Sequence, residues 1–187
     1  GDAGETHQGI YDAAFLSAMP NMTVYSPATQ QELTHMLTLA LSRNEPSAVR
    51  YPRGSLMQAV SAQAVAKGEW EVLAPISEQT VIATGAMVSV ALPVARKLGT
   101  GLVNARTIQP LDERTLGEIR RVAKRVVVME ENIDCLGLRL SALLSPIPVV
   151  RMNVSCAPIL QASVNHQRQT CGLTAEALEA YLTEELS

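Results

Sequence analysis

The chain is expected to fold as α/β, with an incomplete open α/β unit first and a second, self-contained open α/β unit after it. Three observations predict this. Short β-branched runs alternate with stretches of helical spacing along most of the sequence. Residues 55–67 interrupt that alternation with Ala, Gln, Ser and Val in no clear period, as a connection between units would. Only two strands precede the interruption, too few to close a core. The 187 residues and 47% hydrophobic composition suit one or two soluble domains. With one Trp, one Phe and four Tyr, the core has to be built from Leu, Val, Ile, Ala and Met.

In the first unit, helical spacing covers residues 10–19 and Pro20-Asn21 ends it. Residues 22–25 read as a short strand. Thr29 followed by Glu32 matches a capping box, with Ser26-Pro27 as another possible entry, so a helix should run through Met36, Leu37, Leu39 and Ala40 to about Ser42. His35 falls inside it as a surface or packing residue. Residues 49–51 form a second strand closed by Pro52. Strand, helix, strand at this spacing implies a parallel pair, because parallel strands need a crossover of that length. The strands this unit still lacks either precede Gly1 or come from a partner chain.

In the second unit, residues 70–73 read as an edge strand and 79–84 as a buried one. A helix follows over 86–98, with Pro93 as a kink or a sign of a late start. Residues 101–104 return as a strand, and Pro110-Leu111-Asp112 opens a helix ending near Val122. The β-branched run 125–129 suits a strand covered on both faces. A short helix over 138–144, a strand over 149–152 and a final helix capped by Thr174, with Leu178, Tyr181, Leu182 and Leu186 apolar, complete the unit.

Charge and cysteine usage narrow the function. A net charge of −3 with scattered Lys and Arg leaves no basic footprint for nucleic acid. No apolar run approaches the ~18 residues of a membrane span, and the first residues lack the basic and apolar regions of a signal peptide, so the chain reads as cytosolic. Cys135, Cys156 and Cys171 fit neither a disulfide framework nor the close pairs of a zinc site, and read as free thiols. Cys135, in a loop after Glu130-Glu131-Asn132, has its thiolate disfavoured by those carboxylates.

Two segments carry chemistry. Gly1-Asp2-Ala3-Gly4-Glu5-Thr6-His7-Gln8-Gly9 sets a histidine in a glycine-rich turn just before a helix, where an imidazole can reach a ligand. About forty residues on stands Pro46-Ser47-Ala48-Val49-Arg50-Tyr51-Pro52-Arg53-Gly54. In order and distance, Thr6-His7-Gln8-Gly9 and Arg50-Tyr51-Pro52-Arg53-Gly54 resemble signature segments of the 1-deoxy-D-xylulose-5-phosphate synthases, thiamine-diphosphate enzymes of the transketolase superfamily. Residues 16–24 are similar to that family's connecting segment. Residues 104–112 and Glu130-Glu131-Asn132 resemble its carboxy-terminal domain.

The resemblance implies that residues 1–54 are the second half of a transketolase-like pyrimidine-binding domain, 55–68 a linker, and 69–187 a domain of transketolase C-terminal type. It implies a transferase that condenses pyruvate with D-glyceraldehyde 3-phosphate to 1-deoxy-D-xylulose 5-phosphate and carbon dioxide. His7 then exchanges protons with the acceptor aldehyde or its carbinol. Arg53 binds the acceptor's phosphate through its guanidinium fork. Asp2, next to Ala3 where the family has aspartate, is the substitute substrate contact. Arg50 and Tyr51 are expected not to share one pocket, because strand residues alternate faces. Glu130 and Glu131 are structural or interface residues, Gly137 is the remnant of a longer glycine-rich loop, and His166 has no implied role.

Thiamine diphosphate and magnesium are implied for the complete enzyme. The family's diphosphate-binding segment and the glutamate that activates the aminopyrimidine do not occur in this sequence, so this chain alone is expected neither to bind the cofactor tightly nor to turn over. The implied partners are the missing amino-terminal domains and a second copy in a homodimer. Two other readings are a non-catalytic dimerisation module and one half of a split transketolase-like enzyme.

Overall fold

A computed structural model describes residues 4, 7–52, 54–58, 63–154 and 159–184. Among these, the strands fall into a three-stranded sheet of order β2-β1-β6 and a five-stranded sheet of order β3-β5-β4-β7-β8.

The first sheet begins as predicted. β1 (Thr23–Tyr25) and β2 (Ser47–Val49) pair in parallel across the crossover helix α2 (Gln30–Ser42). Thr29 caps α2, its Oγ1 accepting from the Glu32 N–H at 3.1 Å. The carboxylate of Glu32 completes no capping box with Thr29, because it accepts instead from the Ala28 N–H and from residues of the second unit. β2 stops at Val49, two residues short of the predicted strand, so Arg50 and Tyr51 lie past its end. A third strand of this sheet comes from the second unit. β6 (Thr107–Gln109), a stretch to which the sequence assigns no element, leaves the second unit and pairs antiparallel with β1. Three residues carry too little pattern to be read as a strand. β6 then buries Ile108 against Val24, Ala13 of α1 (Asp12–Ser17) and Cys135.

The second sheet is built from the strands predicted for this unit. β4 (Gln79–Ala83), β5 (Gly101–Asn104), β7 (Arg125–Ile133) and β8 (Val149–Val154) run parallel, with β3 (Glu71–Ala74) antiparallel at the edge. Both faces are covered, which is why its strands read as continuous apolar runs. Val81, Ala83, Val127 and Met129 pack on α3 (Met87–Leu98) and α7 (Ala175–Thr183). Ile82, Val103, Val126 and Val128 pack on α4 (Glu113–Val122) and α5 (Leu136–Leu143). Pro93 lies within α3 without ending it. A helix that the sequence reading did not predict, α6 (Val164–Thr170), is capped by Ser163 and buries no residue of its own, so no periodic apolar stripe marks it.

The connection between the units is anchored at two points among its described residues. Met57 accepts from the Gln30 N–H, and Val65 is buried with Tyr25 and Met36. Across the junction, the buried guanidinium of Arg106 pairs with Glu32 of α2 at 2.7 Å and with Glu71 of β3 at 2.8 Å. Asn104 Nδ2 also donates to Glu32, at 2.8 Å.

Candidate functional site

A cavity of about 1020 Å³ opens between the units. One wall is the turn holding His7, together with Arg50, Tyr51 and Pro52 beyond β2. The facing wall is built from the β4–α3 turn (Thr84, Gly85, Ala86), Glu131 and Asn132 of β7, and the α6 region from Ile159 to Leu173. In the second sheet β4 connects through α3 to β5 on one side, while its other neighbour β7 connects through α5 to β8 on the other, so the connections diverge at the carboxyl ends of β4 and β7. A crevice at such a switch point is where open parallel sheets hold ligands.

His7 is exposed in this wall, in a short turn closed by its own N–H donating to the Gly4 carbonyl at 3.3 Å. No regular element holds the turn, yet its next residues are fastened one after another. Gln8 Nε2 donates to the Ile159 carbonyl at 2.9 Å. The Gly9 carbonyl accepts from Arg50 Nη2, and the Ile10 carbonyl accepts from the Ile133 N–H at 2.9 Å. Asp12, at the start of α1, accepts from Arg50 Nε at 2.8 Å.

Arg50 and Tyr51 both line the cavity, contrary to the expectation from strand alternation. The alternation does not apply because both residues lie beyond the last residue of β2. Asp2 and Arg53 lie outside the described residues. Pro52 and Gly54, on either side of position 53, both line the cavity.

The described charges of the wall cancel in pairs. Arg50 pairs with Asp12, and Arg168 of α6 pairs with Glu131 at 2.7 Å. Asn132 is fully buried, its Nδ2 donating to Glu130 at 3.2 Å. Glu130, also fully buried, accepts from the N–H groups of Leu136 and Gly137 at 3.0 and 2.8 Å. A carboxylate there satisfies two of the free donors of α5 and suits its positive end. Gly137 sits in a tight place, since a Cβ would stand 3.1 Å from Arg151 Cγ and 3.3 Å from Glu130 Oε1.

Cys135 is the residue preceding α5 and is buried, not in an open loop. Burial, and then the neighbouring Glu130 carboxylate, push its thiol up to about 11. His35 lies away from the cavity, beside the cluster of Glu32, Glu71 and Arg106, and His166 is exposed on α6. Sequence reasoning missed the Arg50–Asp12 pair and the Glu131–Arg168 pair. Their partners are 38 and 37 residues apart, and only strand register and the packing of α6 bring them together.

Residues 1–58 match the transketolase pyrimidine binding domain, and residues 68–178 match the transketolase C-terminal domain. The chain belongs to the transketolase family. It is 36% identical to the 1-deoxy-D-xylulose-5-phosphate synthase of Clostridium tetani, over 95% of this chain and 31% of the relative. It is 35% identical to the enzyme of that name from Heliobacterium modesticaldum, over 94% of this chain and 29% of the relative. In three dimensions it is similar to a solved structure described as a split gene transketolase, inactive beta4 tetramer. The TM-score is 0.90 at 28% identity, covering 98% of this chain and 64% of that one. The chain thus spans about a third of the length of these curated relatives.

Proposed function

We propose that this chain forms the acceptor-substrate side of a thiamine-diphosphate-dependent transferase that condenses pyruvate with D-glyceraldehyde 3-phosphate to 1-deoxy-D-xylulose 5-phosphate and carbon dioxide. The supporting observation is that His7 and the chain on both sides of position 53 line one cavity between the two family domains. In this reading His7 exchanges a proton with the acceptor aldehyde or its carbinol. Arg53 binds the acceptor phosphate, supplying positive charge to a wall whose described Arg residues are already engaged with carboxylates. Asp2 contacts substrate beside them.

Bound thiamine diphosphate supplies the carbanion chemistry of such a reaction. Among the described residues no group of three or more His, Cys, Asp or Glu side chains could hold a metal ion, so they do not fit the magnesium-diphosphate end of the cofactor. That end falls to amino-terminal domains beyond this chain, and the chain alone should not bind the cofactor tightly. No helix among the described residues is long and apolar enough to cross a membrane, in keeping with a cytoplasmic enzyme. A homodimer has a surface to use, since Tyr11, Phe15 and Met19 are exposed at four-residue spacing along and just beyond α1. Residues 1–54, 55–68 and 69–187 are the proposed domain, linker and domain.

Steady-state kinetics on an assembly containing the thiamine-diphosphate-binding region tests the assignment. Truncating one partner of a desolvated charge pair costs about 2–5 kcal/mol, so Arg53→Ala should weaken glyceraldehyde 3-phosphate use by roughly 30-fold to several thousand-fold. Pyruvate binding should change little. His7→Ala should lower turnover more than acceptor affinity. Equal losses for both substrates in Arg53→Ala would reject the phosphate site. The likeness to a split gene transketolase favours a second reading, one half of a split transketolase-like enzyme. A neighbouring gene encoding the amino-terminal half, with activity appearing only when the two chains are mixed, would select it.

A further inference from the structure

We propose that Arg50 is a positioning residue whose two contacts hold the His7 imidazole toward the cavity. The proposal rests on the reading of His7 given above. Arg50 is anchored before it acts: its own N–H donates to the Tyr25 carbonyl at 2.9 Å, extending the parallel ladder of β1 and β2 by one rung. From that fixed base, Nη2 reaches the Gly9 carbonyl and Nε reaches Asp12 Oδ1 at 2.8 Å. Asp12 Oδ1 also accepts from the Ala13 N–H at 2.9 Å, so the carboxylate links the guanidinium to the first turn of α1. One planar side chain therefore spans the turn from Gly9 to Asp12, two and five residues beyond His7.

The opposite side of the turn is fastened to the second unit, through Gln8 to the Ile159 carbonyl and through the Ile10 carbonyl to the Ile133 N–H. The turn is thus held between the units, with Arg50 making two side-chain contacts from the first. A partly exposed ion pair of this kind contributes little to global stability, with side-chain exposures of 17% and 34% for Arg50 and Asp12. What it controls is local geometry. A lysine keeps the charge but presents a single ammonium, which cannot reproduce two contacts from a rigid fork.

The three histidines of the chain make the test internal, because only His7 adjoins the bracket while His35 and His166 lie elsewhere. Side-chain NMR of the histidines in the full 187-residue chain should show the His7 signals displaced and broadened in Arg50→Gln and in Asp12→Asn. The signals of His35 and His166 should hold, and the melting temperature should move by no more than about 4 °C. Arg50→Lys should give an intermediate His7 displacement. In the assembled enzyme, Arg50→Gln should lower kcat about 100-fold with the KM for pyruvate little changed, the cost of a reacting group misplaced by about 1 Å. An unmoved His7 signal in both variants overturns the proposal. So does joint movement of all three histidines with collapse of the melting transition, which would make Arg50 a residue of the fold. If His7→Ala leaves turnover intact, the catalytic reading of His7 fails, while the NMR response to Arg50→Gln still decides the bracket.

Discussion

Replacing Arg106 with methionine should remove more stability than any surface change in this chain. Its side chain is 1% exposed and stands between two carboxylates that are 5% and 3% exposed, Glu32 at 2.7 Å and Glu71 at 2.8 Å. Methionine fills much of the volume but leaves both carboxylates without their cation, and Asn104 Nδ2 remains as the one described side-chain donor to Glu32 from the second unit. Breaking a buried pair by removing one partner costs about 3–5 kcal/mol. For a chain of this length, where 1 kcal/mol shifts the melting temperature by roughly 2–4 °C, that is a fall of about 6–20 °C. Against a typical total of about 5–15 kcal/mol, it approaches the folding threshold. Urea unfolding at pH 7, followed by fluorescence of Trp70, reads the loss, because Trp70 is buried and its Nε1 donates to the Thr107 carbonyl one residue from Arg106. Arg106→Met/Glu32→Gln should be more stable than Arg106→Met alone, because the amide removes one of the two unpaired buried charges. A loss below about 1 kcal/mol, or a double variant no more stable than Arg106→Met, would show that the carboxylates are solvated and that the cluster does not join the units.

A fragment of residues 69–187 strips Arg106 of Glu32 and β6 of its partner β1, so it should melt below the intact chain in calorimetry; equal stability would mean that the junction contributes nothing. The Cys135 thiol, raised to about 11, should be alkylated slowly at pH 8, with a rate rising about tenfold per pH unit toward that value as thiolate forms; a plateau by pH 9 in a Cys135-only variant would contradict its burial beside Glu130. Gly85→Ala should destabilise by about 1–2 kcal/mol, because the backbone is left-handed at φ +57 and a Cβ would stand 2.8 Å from Ser26 Oγ. Ser26→Ala should recover the clash but not the backbone strain, and full recovery in the melting temperature of the double variant would refute the strain argument.

Much of the fold follows from local pattern. β5 falls on the four residues read from the sequence, and Asp112 and Thr174 cap α4 and α7 through their side-chain oxygens. Those features need only period, propensity and a capping residue, which neighbouring positions determine together. β6 and α6 were not legible for the opposite reason. Three residues of strand have no period, and a helix with no buried residue has no apolar stripe.

The candidate site divides along the same line. The sequence by itself singled out His7 and Arg53 as the candidate side chains, because both sit in motifs whose residue types and order are local. It also determined that two α/β units follow one another, since alternating strands and helices with a patternless interval are properties of neighbouring residues. Only the tertiary structure decided where the turn after His7 is fastened and what joins the units. Arg50 meets Asp12 across 38 residues, and Arg106 meets Glu32 across 74. Such pairs are set by strand register and by one sheet borrowing a strand from the other unit. Those are long-range relations between elements, and no short window of sequence contains them.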